Sequence, residues 1–158
     1  MFRPMRRIKQ QLPGAECIDI LKQELRGVLS VLGDDDYPYG LPMDHWYCEA
    51  DGKIYFHCGK QGHKLDAIAR HDKASYCVYD QGWRREGEWA LNIRSVIVFG
   101  RIRVVSDPAR VIDVARQLAC KCTTDMDYIE HEIARSGAKA QLLELTPEHM
   151  TGKLVNES

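Results

Sequence analysis

The sequence of 158 residues predicts a mainly β fold, an antiparallel barrel with peripheral helices. Three observations point there. Strand-like apolar runs are joined by tight turn signals, Gly33-Asp34-Asp35-Asp36 and Asp51-Gly52, which pair neighbours antiparallel. In the segment 92–105, Val96, Val98, Ile102 and Val104 recur at two-residue spacing on one face. The strands are joined mostly by hairpins, without the regular helical crossovers of a doubly wound parallel sheet.

Residues 1–13 read as an irregular arm ending at Pro13-Gly14. In residues 16–25 the apolar Cys17, Ile18, Leu21 and Leu25 recur at helical spacing. Residues 28–32 form a first strand, closed by the acidic turn. Residues 37–49 form a second strand. Pro38 and Pro42 lack an N–H, which places them at an edge, a strand start or a bulge. Residues 53–58 complete the second hairpin. A short helix over 64–71 turns Leu65, Ile68 and Ala69 to one side, and residues 74–80 make the next strand.

A polar loop over 81–88 leads to the strand 92–105. There Val96, Val98, Ile102 and Val104 share one face, and Ser95, Ile97, Phe99, Arg101 and Arg103 the other. The Ile97–Phe99 end is apolar on both faces, so its outside is expected to be covered, most simply by a second subunit. Gly100 suits a bend where the sheet closes. Asp107 and Pro108 have the N-cap and first-turn signature of a helix in which Val111, Ile112, Ala115, Leu118 and Ala119 repeat at helical spacing. Residues 125–136 read as another helix, with Met126, Ile129 and Ile133 inward and Gly137 as its stop. A last strand over 140–146 precedes a tail over 147–158. The tally is about six strands with two or three helices set between or after them, besides the short one at 16–25, in one domain over 1–158.

Composition limits the function classes. Net charge is −1, and 44% of residues are hydrophobic. That balance makes no case for nucleic acid or an anionic membrane. No stretch approaches a membrane span, and the basic N-terminus lacks a signal peptide's apolar core. The reading is a soluble, cytoplasmic protein. Six cysteines are expected as free thiols, largely buried. Cys120-x-Cys122 is too short and isolated for a zinc pair, so no metal is expected.

The chemistry concentrates between Tyr37 and Lys64, YPYGLPMDHWYCEADGKIYFHCGKQGHK. Gly59 and Gly62 open a helix whose first turn carries His63 and Lys64. Free N–H groups, the positive end of the helix dipole and the lysine charge make a phosphate-sized anion site. A solvated helix start is the structural alternative. His57 ends an apolar strand and can bond a ligand or a neighbouring carbonyl. His45 and Trp46 follow Asp44, the first suited to a flat ligand and the second to packing. Trp83, Arg84, Arg85 and Trp89 mark an exposed loop or a lid.

These residues resemble the FMN-binding split barrel of the pyridoxamine 5'-phosphate oxidase superfamily, nearest its nitroimidazole-resistance (Nim-type) branch. Four stretches carry the likeness in order: YPYGLPMDHWYCEADGKIYFH, GKQGHKLDAIARHDKASYCV, SVIVFGRIRVVSDP and MTGK at 150–153. The resemblance implies a homodimer with two FMN molecules at the subunit interface. It places the backbone around Pro42, Met43, Asp44 and His45 beside the isoalloxazine. His57, Gly62, His63 and Lys64 would hold the phosphate and ribityl chain, and Ser95 would sit near the ring's polar edge. Lys153 could reach an anion on the partner. A histidine near the flavin is the expected substrate-side group, with His45 and His57 as candidates. The basic set with which the oxidase branch clamps a pyridoxal-type phosphate has no counterpart here.

The resulting expectation is an FMN-dependent oxidoreductase. It would take electrons from a donor such as a reduced nicotinamide and pass them to a small electron-poor acceptor, with nitroaromatics as the suggested class. No Rossmann fingerprint supplies a separate nicotinamide domain. The alternative is a flavin or haem carrier, or a redox sensor, without turnover.

Overall fold

In the computed structural model, residues 1–156 are described, and they form one eight-stranded antiparallel sheet with four α-helices. The strands are β1 (Gln11–Leu12), β2 (Arg26–Leu32), β3 (Pro38–Asp44), β4 (Trp46–Cys48), β5 (Lys53–Cys58), β6 (Lys73–Tyr79), β7 (Asn92–Val105) and β8 (Gln141–Asn156). The helices are α1 (Gly14–Gln23), α2 (His63–Arg70), α3 (Pro108–Cys120) and α4 (Met126–Ser136). The sheet runs β3-β2-β6-β7-β8-β5-β4, with β1 added to the far half of β8. It curls into a half-barrel, the expected fold class.

The alternation read from the sequence accounts for the core. On β7, Val96, Val98 and Ile102 are buried, and they meet Leu29, Val31, Tyr76, Leu143 and Leu145 inside the curl. Val104, assigned to the same face, lies beyond the curl and is exposed. The two walls of β7 bend at Gly100, where its register with β8 shifts. A Cβ at Gly100 would overlap the Thr146 carbonyl, so glycine is needed for this close approach. Pro147 sits at the same irregularity, where a missing N–H is tolerated. Asp107 caps α3 by accepting from the Ala109 N–H, and Asp125 caps α4 by accepting from the Tyr128 N–H.

Four expectations change. The arm over 1–13 is not wholly irregular, because Gln11 and Leu12 pair with Lys153 and Gly152. The tail over 147–158 is a strand as far as Asn156, and its remaining two residues lie outside the described ones. Its alternation was masked by Pro147 and by the short polar stretch around it. The strand over 37–49 is two strands at opposite ends of the sheet, broken at His45. Met126 is exposed at the start of α4 and does not face inward. Of the cysteines, Cys17, Cys48 and Cys58 are buried, whereas Cys120 and Cys122 are exposed. Cys122 falls past the end of α3.

Candidate functional site

The barrel is split. β3 and β4 stand at the two ends of the strand order, so the outer edge of β3 pairs with no strand among the described residues. A cleft of about 660 Å³ lies at this seam. Pro42, Met43 and Asp44 line it from β3 and His57 from β5, while α3 and α4 supply an apolar roof with Leu118 and Ile129. The roof is tied down by Lys121, whose Nζ donates to the carbonyls of Glu24 (2.6 Å) and His45 (3.0 Å). At the mouth, Arg26 grips both carboxylate oxygens of Asp44 at 2.5 and 3.1 Å.

The hydrogen-bond phase of β3 follows from its hairpin. The Gly33 N–H donates to the Tyr37 carbonyl at 2.8 Å, and the register continues from that pair through Val31–Tyr39, Leu29–Leu41 and Gly27–Met43. In an antiparallel ladder, bonded and non-bonded pairs alternate. The odd-numbered residues of β3 therefore bond β2. Gly40, Pro42 and Asp44 turn their peptide groups to the open edge. Pro38 and Pro42 both fall in the outward phase, where a missing N–H breaks no ladder bond.

This open edge connects the two groups of candidate residues. At its start, the His63 ring stacks on Tyr39 with centroids 4.2 Å apart, which brings the N-terminus of α2 beside β3. At its end lies the cleft. From Tyr39 to Met43 is four residue steps, about 13 Å at 3.3 Å per residue. Gly62 caps α2 with φ 127°, and no side chain caps the helix. Lys64 is half-exposed in the first turn and has no ion-pair or hydrogen-bond partner among the described residues.

The other candidates are placed less openly. His63 is committed to the acidic turn: its Nε2 accepts from the Asp34 N–H at 3.3 Å and lies 3.5 Å from the Asp34 carboxylate. Asp34 is also held by Arg70 at 2.6 Å. His57 presents its ring at the cleft, and the crowding of the wall disfavours its charged form and lowers its pKa. Ser95 stands on the outer face of β7, between Tyr79 of β6 and Lys153 of β8, away from the cleft. Lys153 is thus a strand residue, not part of a tail.

His45 does not line the cleft. It is fully buried, with Nε2 2.7 Å from the Leu21 carbonyl and Nδ1 2.9 Å from the Tyr76 hydroxyl. Burial, then the Lys121 charge, push its pKa down to about 4. The chain leaves β3 here to cross to the other end of the sheet, and the imidazole turns inward to pin that crossing. The Trp83–Trp89 loop does not line the cleft; Trp83 bridges Asn92, and Arg94 lies over its ring at 5.7 Å. Among the described residues, no group of three or more His, Cys, Asp or Glu side chains is gathered as a metal site.

Sequence reasoning missed Tyr76, Lys121 and the roof. Tyr76 lies within the segment 74–80 read as a strand and was given no role of its own; an inward tyrosine whose hydroxyl needs a partner was the available signal. The apolar positions of α3 and α4 read as ordinary core, because a helix face over a cleft and one over a core have the same pattern.

The sequence profile of the pyridoxamine 5'-phosphate oxidase family matches residues 13–154, and the chain belongs to that family. Among curated proteins, no sequence matches it significantly. Solved structures share its fold. A candidate 5-nitroimidazole antibiotic resistance protein from Bacteroides thetaiotaomicron is 16% identical with a TM-score of 0.77, over 92% of this chain and 87% of that one. The conserved hypothetical protein Rv2991 from Mycobacterium tuberculosis is 17% identical with a TM-score of 0.79, over 95% and 90%. An FAD and heme binding protein from Mycobacterium smegmatis is 20% identical with a TM-score of 0.64, over 94% and 74%. No helix among the described residues is long and apolar enough to cross a membrane.

Proposed function

We propose that this chain is a cytoplasmic, homodimeric FMN-binding oxidoreductase acting on a small, flat, electron-poor acceptor such as a nitroaromatic, with a reduced nicotinamide as donor. The observation that carries the proposal is the open edge of β3. It runs from the uncapped start of α2 to the cleft and offers the Pro42 carbonyl and the Asp44 N–H at the cleft end. An extended ligand with an anion at one end and a flat polar ring at the other matches that arrangement. The residues fit FMN: Lys64 and the first-turn N–H groups of α2 suit the phosphate, and the peptide edge at Pro42–Asp44 suits the ring's oxygens and N3.

Bound FMN would supply the hydride and electron transfer. The protein's own groups position and exclude. The roof of α3 and α4 keeps water from the cleft, and its apolar lining favours a flat acceptor over a charged one. His57, at the cleft with its neutral form favoured, can accept or donate one hydrogen bond to that acceptor. His45 takes no part at the acceptor, since both its nitrogens are engaged in the core.

The dimer rests on the outer face of the sheet. Val28, Tyr79, Ile97 and Phe99 are all exposed there, and cross-strand neighbours Pro42, Val28, Cys77 and Ile97 carry that face to the cleft edge. Ser95 and Lys153 lie on it too. A second subunit covering this face would bring these residues into the surroundings of the flavin.

The test is the visible spectrum of freshly purified protein, with released cofactor run against FMN standards. Flavin bands and one FMN per chain are expected. Lys64→Ala should weaken FMN uptake at least tenfold, because it removes a charge-assisted contact. A Soret band would replace this reading with haem binding. A colourless protein that takes up no added FMN would refute it.

A further inference from the structure

We propose that Tyr76 is a positioning residue which aims and polarises the Asp44 N–H at the ring-binding end of the cleft, with His45 as its regulator. The inference rests on the flavin reading above for its ligand, but its geometry is complete in the chain alone. The Tyr76 hydroxyl lies 2.7 Å from the Met43 carbonyl and 2.9 Å from His45 Nδ1. The Gly27 backbone bonds the same oxygen. Tyr76 reaches this point only because residue 27 is glycine: a Cβ there would stand 2.7 Å from Tyr76 Cζ and 2.8 Å from its oxygen.

The tautomer follows from the partners. His45 Nε2 faces a carbonyl oxygen, that of Leu21, which can only accept. Nε2 therefore carries the proton, and Nδ1 of the neutral ring is an acceptor. The single Tyr76 proton is then shared between His45 Nδ1 and the Met43 carbonyl.

That carbonyl belongs to the planar peptide whose other end is the Asp44 N–H. In a trans peptide the two bonds point in opposite directions. Holding the Met43 oxygen from the core therefore points the Asp44 N–H to the open edge, the phase that the hairpin register assigns to it independently. A hydrogen bond to the carbonyl also makes the N–H of the same peptide a stronger donor, because hydrogen bonds in a chain polarise one another. A buried hydroxyl thus acts on a ligand it does not touch. A stronger donor favours the more electron-rich, reduced form of a flavin ring.

The experiment compares Tyr76→Phe with the native chain in two measurements. First is the amide ¹H shift of Asp44 in the flavin-free protein. Tyr76→Phe should move it upfield, as the peptide loses its polarising partner. His45→Leu should move it the opposite way, since the Tyr76 proton then goes wholly to the Met43 carbonyl. A merely structural role predicts no such opposition of sign. Second is the midpoint potential of FMN added to each protein. Tyr76→Phe should lower the preference for reduced FMN about threefold, or about 15 mV at about 30 mV per decade for a two-electron couple.

An unchanged Asp44 shift in Tyr76→Phe overturns the proposal, as does an altered shift with an unchanged potential. Should Tyr76→Phe fail to fold, the sign of the His45→Leu shift decides. If the native chain takes up no FMN, the flavin reading fails, and the Asp44 shifts still decide whether Tyr76 aims the peptide.

Discussion

The ammonium of Lys121 lies 3.0 Å from the carbonyl oxygen of His45, where the roof helices meet the break between β3 and β4. The same nitrogen holds the Glu24 carbonyl just past α1. One side chain thus fixes the end of α3 to the two chain segments that flank the paired ends of β2 and β3. Lys121→Met keeps the apolar stem and removes the charge. Hydrogen bonds from a charged group contribute about 1.5–3 kcal/mol, and a loss in that range is expected by denaturant titration. Amide exchange should accelerate over 108–136 and stay unchanged in β6 and β7. Uniform acceleration would mean that Lys121 serves the whole fold and not the roof.

His45 makes stability depend on mild acid. Its pKa in the folded chain is about 4, against 6.5 for a free imidazole. Between these values the unfolded chain binds a proton that the folded one refuses. Its contribution is therefore fully present above about pH 6.5 and is lost as pH falls to about 4. At 1.36 kcal/mol per unit, the loss is about 3 kcal/mol. His45→Leu should flatten the stability curve across that window, as measured by urea unfolding at several pH values. An unchanged acid limb would assign the dependence to carboxylates instead.

The turns and the alternation make most of the fold legible in the sequence. Gly33–Asp36, Asp51-Gly52 and the pattern of residues 92–105 each specify local geometry, and β5 and β7 run over the residues read as strands. The break at His45 was not legible, because residues 37–49 keep strand composition throughout. It exists for a tertiary reason: the chain must cross from one end of the sheet to the other, and an imidazole buried against Leu21 and Tyr76 secures the crossing. The strand past Pro147 was hidden because a proline inside a paired strand is tolerated only at an irregularity, which local sequence does not announce. In the candidate site, the residues on β3 and β5 converge because a strand edge lines the cleft. The contact of His63 with Asp34 was not legible, because the two residues lie 29 positions apart in sequence.

Gly62 offers a test of the helix start. Its φ of 127° and ψ of 166° belong to a region that only glycine enters readily. A Cβ there would meet no atom within 4 Å, so any penalty comes from the backbone and not from crowding. Gly62→Ala should lower stability by about 1–3 kcal/mol. It should also weaken FMN uptake, because the first-turn N–H groups of α2 would shift. Gly59 is equally uncrowded and has no positive φ, so Gly59→Ala should leave stability within about 0.5 kcal/mol. Equal effects of both substitutions on melting temperature would remove the special role of the Gly62 conformation.

The outer face of the sheet is the last point at which the proposal can fail. Phe2 stacks on Phe99 with centroids 5.8 Å apart and on His149 at 4.6 Å, so the chain's own arm covers part of that face. Ile97 nevertheless stays 39% exposed and Tyr79 57%. Adjacent apolar side chains of this size in water favour burial at about 25 cal/mol per Å². Ile97→Glu places a carboxylate in that patch without touching the buried side of β7. Light scattering after size exclusion should show a dimer for the native chain and a monomer for Ile97→Glu, with an unchanged circular dichroism spectrum. If the FMN site needs the partner, the monomer should also lose flavin while keeping its fold. A native chain that is monomeric at tens of micromolar would remove the subunit-interface site, and leave the β3 edge and cleft of one chain to hold the cofactor alone.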